Sequence, residues 1–258
     1  ISGMGTLFTG KVRIKKLLLQ KLYILIFKIL LKRITFNIIF QNKDDYKNYK
    51  SFINFNVSEA NIIEGSGVDT KRLKPIEKKS KITKVLLPAR MLYEKGIKEF
   101  VNAIKILKSE NIEGEFYLAG DTESVNPSAI KREIIDNWVS KGLIYYLGYQ
   151  HNLKRLYEDI DIVCLPSWRE GFPKVIMEAA SLGLPVITTN VPGCRDAVIN
   201  NITGIIIPLK NEIKLARAIK KLIKEKKLRK KMGKANRSLA IKKFDLNVIV
   251  PKIVRLYD

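Results

Sequence analysis

The chain has 258 residues, 46% of them hydrophobic, which is enough for one large or two small domains with a sizeable core and too apolar for a disordered chain. Its 48 Lys and Arg against 25 Asp and Glu leave a net charge of +23, for which nucleic acid, an anionic membrane surface and a phosphorylated substrate are the candidate partners. Two cysteines, Cys164 and Cys194, are too few for a disulfide scaffold and fit a reducing cytosol, and with one histidine, His151, they leave no credible zinc site.

The chain opens Ile1-Ser2-Gly3-Met4-Gly5, with no signal-peptide pattern, and Ile1 to Phe8 reads as a strand end running into an open loop. The opening looks like a domain entered midway, so the expectation is the C-terminal part of a longer protein. Lys11 to Arg33 carries eight Lys or Arg and no acid, and at about 100° per residue Lys21, Lys28 and Lys32 share one stripe of an otherwise apolar helix. The lysines interrupt it too often for a spanning helix. It suits either an interfacial helix at anionic headgroups or a helix packed on a sheet with its lysines snorkelling to water.

Ile34 to Phe40 reads as a strand, Asn42 to Phe52 as a polar helix and Asn61 to Ile63 as the next strand, an alternation that implies parallel β-α-β units. Gly65-Ser66-Gly67-Val68-Asp69 lacks the full G-x-G-x-x-G and is no evidence for a dinucleotide. Thr70 to Ile82, lysine-rich and proline-containing, reads as an interdomain linker.

A new strand, Thr83 to Pro88, then leads to Ala89-Arg90-Met91-Leu92-Tyr93-Glu94-Lys95-Gly96. A helix (Ile97 to Lys108), a strand ending at Gly120, a helix (Ala129 to Ser140), a strand and loop (Gly142 to Tyr149) and a short helix (Leu153 to Tyr157) follow. His151 suits a loop residue better than a catalytic base. Asp159-Ile160-Asp161 is a D-x-D, but ahead of the strand Ile162 to Leu165 its carboxylates suit capping or flanking the sheet better than a metal.

That strand runs into Pro166-Ser167-Trp168-Arg169-Glu170-Gly171-Phe172-Pro173 and then a helical pattern from Val175 that Gly183 and Pro185 stop. A strand feeding a helix N-terminus presents unpaired N–H groups and a positive dipole end, a site for an anion. Glu170 before the helix and Glu178 two turns into it would meet ligand hydroxyls, so a nucleotide sugar fits; the plainer reading is electrostatic capping by Glu170 and a solvated Glu178. Another strand (Leu184 to Thr189), Val191 to Asp196, Gly204 to Pro208 and two lysine-rich helices (Glu212 to Lys224, Lys227 to Lys242) follow, before a last amphipathic piece from Phe244.

The E-x7-E pair Glu170 and Glu178 in its E-G-F-P setting resembles that of the retaining, nucleotide-sugar-dependent glycosyltransferases of the GT-B fold, family four. Arg90 and Lys95 match that family's G-R-x-x-x-x-K-G, with Ala89 in place of the first glycine, and Val191 to Asp196 resembles its P-G-x-x-E, with Asp196 for the glutamate. The resemblance implies an α/β protein of two Rossmann-like, doubly wound parallel-sheet domains, the first incomplete. Residues 1–70 would end the acceptor domain, 71–82 link, 83–243 form the donor domain and 244–258 cross back as a helix.

It implies a hexosyltransferase that moves a sugar with retention from a UDP-sugar, an N-acetylhexosamine by the subset it resembles, to an undecaprenyl-diphosphate-linked acceptor for surface polysaccharide or glycan assembly. Arg90 and Lys95 would hold the departing diphosphate. Glu170 would orient the donor sugar, with Gly171, Phe172 and Pro173 supplying backbone N–H groups or a ring wall. Glu178 would hold the ribose, backbone near Gly148 and Tyr149 would meet the base, and no metal or other cofactor is required. The enzyme would sit on the cytoplasmic face of the plasma membrane, bound to anionic lipid and not to nucleic acid. The alternatives are a UDP-binding fragment incapable of transfer and a basic nucleic-acid-binding protein, against which stands the lack of any interleaved aromatic platform or recognition motif.

Overall fold

The computed structural model describes residues 14–31, 37–52, 60–76, 81–122 and 125–257. The expected Ile1–Phe8 strand end lies outside the described residues, as do positions 34–36 of the first expected strand and 77–80 of the linker.

A basic, apolar helix α1 (Ile14–Leu31) precedes β1 (Ile38–Phe40), α2 (Lys43–Phe52) and β2 (Ala60–Ile62). β1 and β2 pair in parallel, Ile38 opposite Ala60. Tyr23, Ile24 and Phe27 of α1 pack on the small cluster of Ile38, Phe40 and Tyr49, and the Tyr23 and Phe27 rings stack at 5.6 Å. The opposite side of α1 faces solvent: Leu18, Leu22, Leu25 and Ile29, one helical stripe, are 48–63% exposed, with Lys21 and Lys28 beside them. So the helix packs on a sheet and still presents an apolar stripe. No helix among the described residues is long and apolar enough to cross a membrane.

The second unit contains β3 (Lys84–Pro88), α3 (Ile97–Ser109), β4 (Glu115–Ala119), α4 (Arg132–Ser140), β5 (Tyr145–Tyr146), α5 (Leu153–Tyr157), β6 (Ile162–Leu165), α6 (Lys174–Ser181), β7 (Val186–Thr189), β8 (Gly204–Ile207), α7 (Glu212–Lys224) and α8 (Lys226–Leu239). Its strands form one parallel sheet in the order β5-β4-β3-β6-β7-β8. The strands are continuous apolar runs because both faces are covered. Period two divides them: Val85, Leu87, Ile162 and Cys164 meet Phe100 and Ile104 of α3 and Ile219 of α7. Leu86, Val163 and Leu165 meet Ile176, Met177 and Ala180 of α6 on the other face.

Two elements differ from expectation. The strand placed in Gly142–Tyr149 is only Tyr145–Tyr146, because Gly148 turns left-handed (φ 63°) and its carbonyl accepts from Gly120. The helix expected over Lys227–Lys242 stops at Leu239 and gives way to a π-helical turn, Ala240–Phe244, which drives Phe244 into the core. The closing helix α9 (Leu246–Val254) then starts at Asp245, whose backbone bridges Val68 and whose carboxylate caps Asn247 N–H; Asn37 reaches the carbonyl of Leu256. The end of the chain thus returns to the first unit.

Candidate functional site

The order β5-β4-β3-β6-β7-β8 places β3 and β6 at the point where the chain reverses direction across the sheet. Crevices in open parallel sheets lie at such switch points, outside the C-terminal strand ends. The two segments that leave those ends are Ala89–Gly96 after β3 and Pro166–Pro173 after β6, so topology alone makes neighbours of the two sequence motifs.

Close backbone packing fixes their relation. Gly96 is left-handed (φ 73°), and a Cβ there would lie 2.1 Å from the Pro166 carbonyl oxygen. Trp168 N–H donates to the Glu94 carbonyl (2.8 Å), and its indole N–H donates to Glu99 Oε1 (2.9 Å). Lys210 Nζ lies 3.8 Å from the centre of the Trp168 ring. Within this frame Lys95 Nζ meets Glu170 Oε1 at 2.6 Å, both groups largely buried. Arg90 sits exposed at the end of β3, with no ion pair among the described residues. A fixed ammonium and a carboxylate therefore meet beside the crevice, with an exposed guanidinium at the end of β3.

Helix α6 opens on it. Pro173 is the N-cap and supplies no side-chain acceptor, and the N–H groups of Gly171, Phe172, Lys174 and Val175 find none among the described residues. They form an uncapped positive helix end. The Phe172 ring takes another role than the ring wall expected for it. It is buried, edge-on to Phe244 (5.5 Å), and only the Phe172 backbone is left for a ligand. Gly193 lets the following P-G-C-R-D loop close over Gly171, for a Cβ there would lie 2.2 Å from the Gly171 oxygen.

Glu178 is buried rather than solvated. Burial raises its carboxyl above the ordinary carboxylate range, opposed by Lys174 and by the Tyr157 hydroxyl, which donates to Oε2 at 3.3 Å. It walls a cavity of about 940 Å³ together with Asp69, Arg72, His151, Asn152, Lys154 and Lys174. Three cations and a protected carboxylate there suit an anionic ligand with hydroxyls. Gly148 and Tyr149 line a separate depression with Asp121 and Arg132, so the stretch nearest Glu178 is His151 to Lys154, a few residues further on. Sequence reasoning passed over Lys174 and Lys154; Lys174 lies four before Glu178, on the same helix face, and that spacing was a usable signal.

The D-x-D lies at the opposite, N-terminal end of the central strands β3 and β6. Asp161 accepts from Lys84 N–H (3.0 Å) and approaches Arg229 (3.8 Å), while Asp159 pairs with Lys84 Nζ (3.2 Å). Among the described residues no three His, Cys, Asp or Glu converge as a metal would need. Both cysteines are buried; burial pushes the Cys194 thiol up to about 12 and the Cys164 thiol higher still, so neither is a nucleophile.

The family model described as Glycosyl transferases group 1 matches residues 69–239. The chain is 28% identical over 274 residues to the N,N'-diacetylbacillosaminyl-diphospho-undecaprenol alpha-1,3-N-acetylgalactosaminyltransferase of Campylobacter jejuni, covering 100% of this chain and 69% of that protein. It is 27% identical over 205 residues to the UDP-Gal:alpha-D-GlcNAc-diphosphoundecaprenol alpha-1,3-galactosyltransferase of Escherichia coli, over 74% of this chain and 52% of that one. Anabaena HepE in complex with UDP superposes with a TM-score of 0.79 at 18% identity, over 91% of this chain and 67% of that one. Sucrose-phosphate synthase from Thermosynechococcus elongatus does so with a TM-score of 0.78 at 21% identity, over 92% and 61%. These structural likenesses show the fold, GT-B.

Proposed function

The chain belongs to the glycosyl transferases group 1 family, and from that footing we propose that it moves a sugar from a UDP-sugar to an undecaprenyl-diphosphate-linked sugar, with retention. The observation that carries this reading is the Lys95–Glu170 contact beside the uncapped α6 N-terminus, with Glu178 walling the adjoining cavity. Charge on the leaving diphosphate grows as the glycosidic bond breaks, and Arg90, Lys95 and the free N–H groups are preorganised to receive it. Glu170, held by Lys95, orients the donor sugar, and Glu178 accepts from ribose hydroxyls. The leaving phosphate helps deprotonate the acceptor hydroxyl on the same face, so no side chain serves as nucleophile and the Arg90–Lys95 pair takes the part of a metal ion.

The names of the Campylobacter and Escherichia relatives support a lipid-diphosphate-linked acceptor, and the former supports N-acetylgalactosamine as the donor sugar. Such an acceptor supports peripheral association with a membrane, and the reading sets the enzyme on its cytoplasmic face. The apolar stripe of α1 with Lys21 and Lys28 beside it suits that anionic surface, and flotation with anionic but not neutral vesicles tests it.

Calorimetric titration with UDP tests the donor site. Micromolar binding that Glu178→Ala and Arg90→Ala both abolish is the expected result; no binding of any nucleoside diphosphate by the wild type overturns the reading. One observation favours a second reading: the described part of the first unit pairs only two strands. A UDP-binding fragment without transfer would bind UDP equally and give no product from UDP-sugar and acceptor.

A further inference from the structure

Asn42 is almost completely buried and joins the two units. Its Oδ1 accepts the Asp45 N–H (2.7 Å), which makes it the N-cap of α2, and its Nδ2 donates to Asp45 Oδ2 (2.8 Å). The same Nδ2 donates to the carbonyl oxygen of Gly171 (2.8 Å), inside the E-G-F-P loop 129 residues away. A second tether lies alongside: Arg195 donates to Asp44 Oδ2 (2.7 Å), joining the first turn of α2 to the loop that closes over Gly171.

The consequence follows from peptide geometry. In a trans peptide the C=O of one residue and the N–H of the next point in opposite directions. No peptide among the described residues is cis. With the Gly171 oxygen drawn toward Asn42, the N–H of Phe172 points away from the first unit's helix cap. That N–H is one of the unpartnered donors at the start of α6. The Gly193 backbone packs against this peptide, a Cβ there lying 2.2 Å from the Gly171 oxygen, while Gly171 has no side chain of its own to fix its backbone. Asn42 supplies the hydrogen bond that fixes the direction of the Gly171 carbonyl.

We propose that Asn42 is a positioning residue for the donor site: through its bond to the Gly171 carbonyl it aims the Phe172 N–H at the donor, so the acceptor-side unit completes the donor loop. The inference rests on the donor-site reading above. It assigns Asn42 to the sugar of the ligand, and not to the ribose held at Glu178. Docking of the acceptor-side unit and competence of the donor loop are then one event.

Two substitutions separate this role from the helix cap. Asn42→Ser and Asn42→Asp both keep an N-cap oxygen and both remove the amide donor. The first measurement needs no ligand: amide resonances of the ¹⁵N-labelled full chain. Both variants are expected to shift Gly171 and Phe172, with Asn42→Ser melting nearer the wild type than Asn42→Asp, whose carboxylate would face Asp45; Phe172 unmoved in both overturns the proposal. The second measurement is the affinity for UDP-N-acetylgalactosamine relative to UDP. The ratio is expected to fall roughly fivefold, the weight of one lost hydrogen bond to an uncharged group of the sugar, with UDP affinity itself little changed. An unchanged ratio also overturns it. A wild type that binds neither nucleotide defeats the donor-site reading, and the resonance test then still decides the place of Asn42.

Discussion

The two units of this chain differ in how they hold themselves together. The six-stranded unit buries its sheet on both faces, with apolar side chains from α3, α6 and α7 closing two continuous cores. The two-stranded unit rests on Ile38, Phe40 and Tyr49 and leaves a stripe of α1 in water. Three tethers join the described part of this unit to the other: Asn42 on Gly171, Asp44 on Arg195, and the backbone bridge from Val68 to Asp245. The same tethers meet the loops that shape the candidate site.

Phe40→Ala breaks this contrast most directly. It removes a fully buried ring from the smallest core, at a cost of about 4 kcal/mol. Hydrogen exchange should show lost protection in β1 and β2 and unchanged protection in β3 to β8. Equal loss in both units would mean that they unfold as one. Gly96→Ala tests the other side. A Cβ on a left-handed backbone against the Pro166 oxygen costs roughly 3 kcal/mol and pries the two motifs apart. Denaturant unfolding should show the loss in the six-stranded unit, and UDP binding should disappear. Lys95→Ala leaves Glu170 as a largely buried, unpaired carboxylate, at a cost of about 2 kcal/mol. Adding Glu170→Gln should restore most of the stability and none of the UDP affinity; restored affinity would make the pair structural only.

The sequence carried the fold of the six-stranded unit well because its signals are local. An unbroken apolar run, a turn and a helical pattern made β6, Pro166–Pro173 and α6 legible, and the strand–helix alternation made the sheet parallel. Arg90, Lys95, Glu170 and Glu178 were legible as a set through motif resemblance, and the switch point between β3 and β6 explains why those motifs lie where they do. What stayed hidden depends on distant partners. The Phe172 ring is committed to Phe244, at the end of a π-helical turn that no local pattern announces. The pull of Asn42 on Gly171 spans two units. The stretch after β5 was legible as a loop, but which of its residues share a cavity with Glu178 depends on the left-handed turn at Gly148.

The smallest expected effect concerns Glu178, where stability and binding oppose each other. Burial, the larger cause, raises its pKa in the folded chain above the unfolded value of 4.5, and Lys174 and Tyr157 offset only part of the rise. The folded state therefore holds the proton more tightly than the unfolded one. The stabilisation this gives is complete below the unfolded pKa and is lost as pH rises through the folded pKa. Burial thus disfavours the charged form of Glu178, and ligand hydroxyls reaching it would offset part of that cost. Glu178→Gln removes that charge and keeps the shape. Its melting temperature should exceed that of the wild type near pH 7 and converge with it below about pH 4.5, while its affinity for UDP falls. A variant less stable than the wild type at pH 7 would mean that the Tyr157 and Lys174 contacts outweigh burial, and that Glu178 is held for the fold rather than for a ribose.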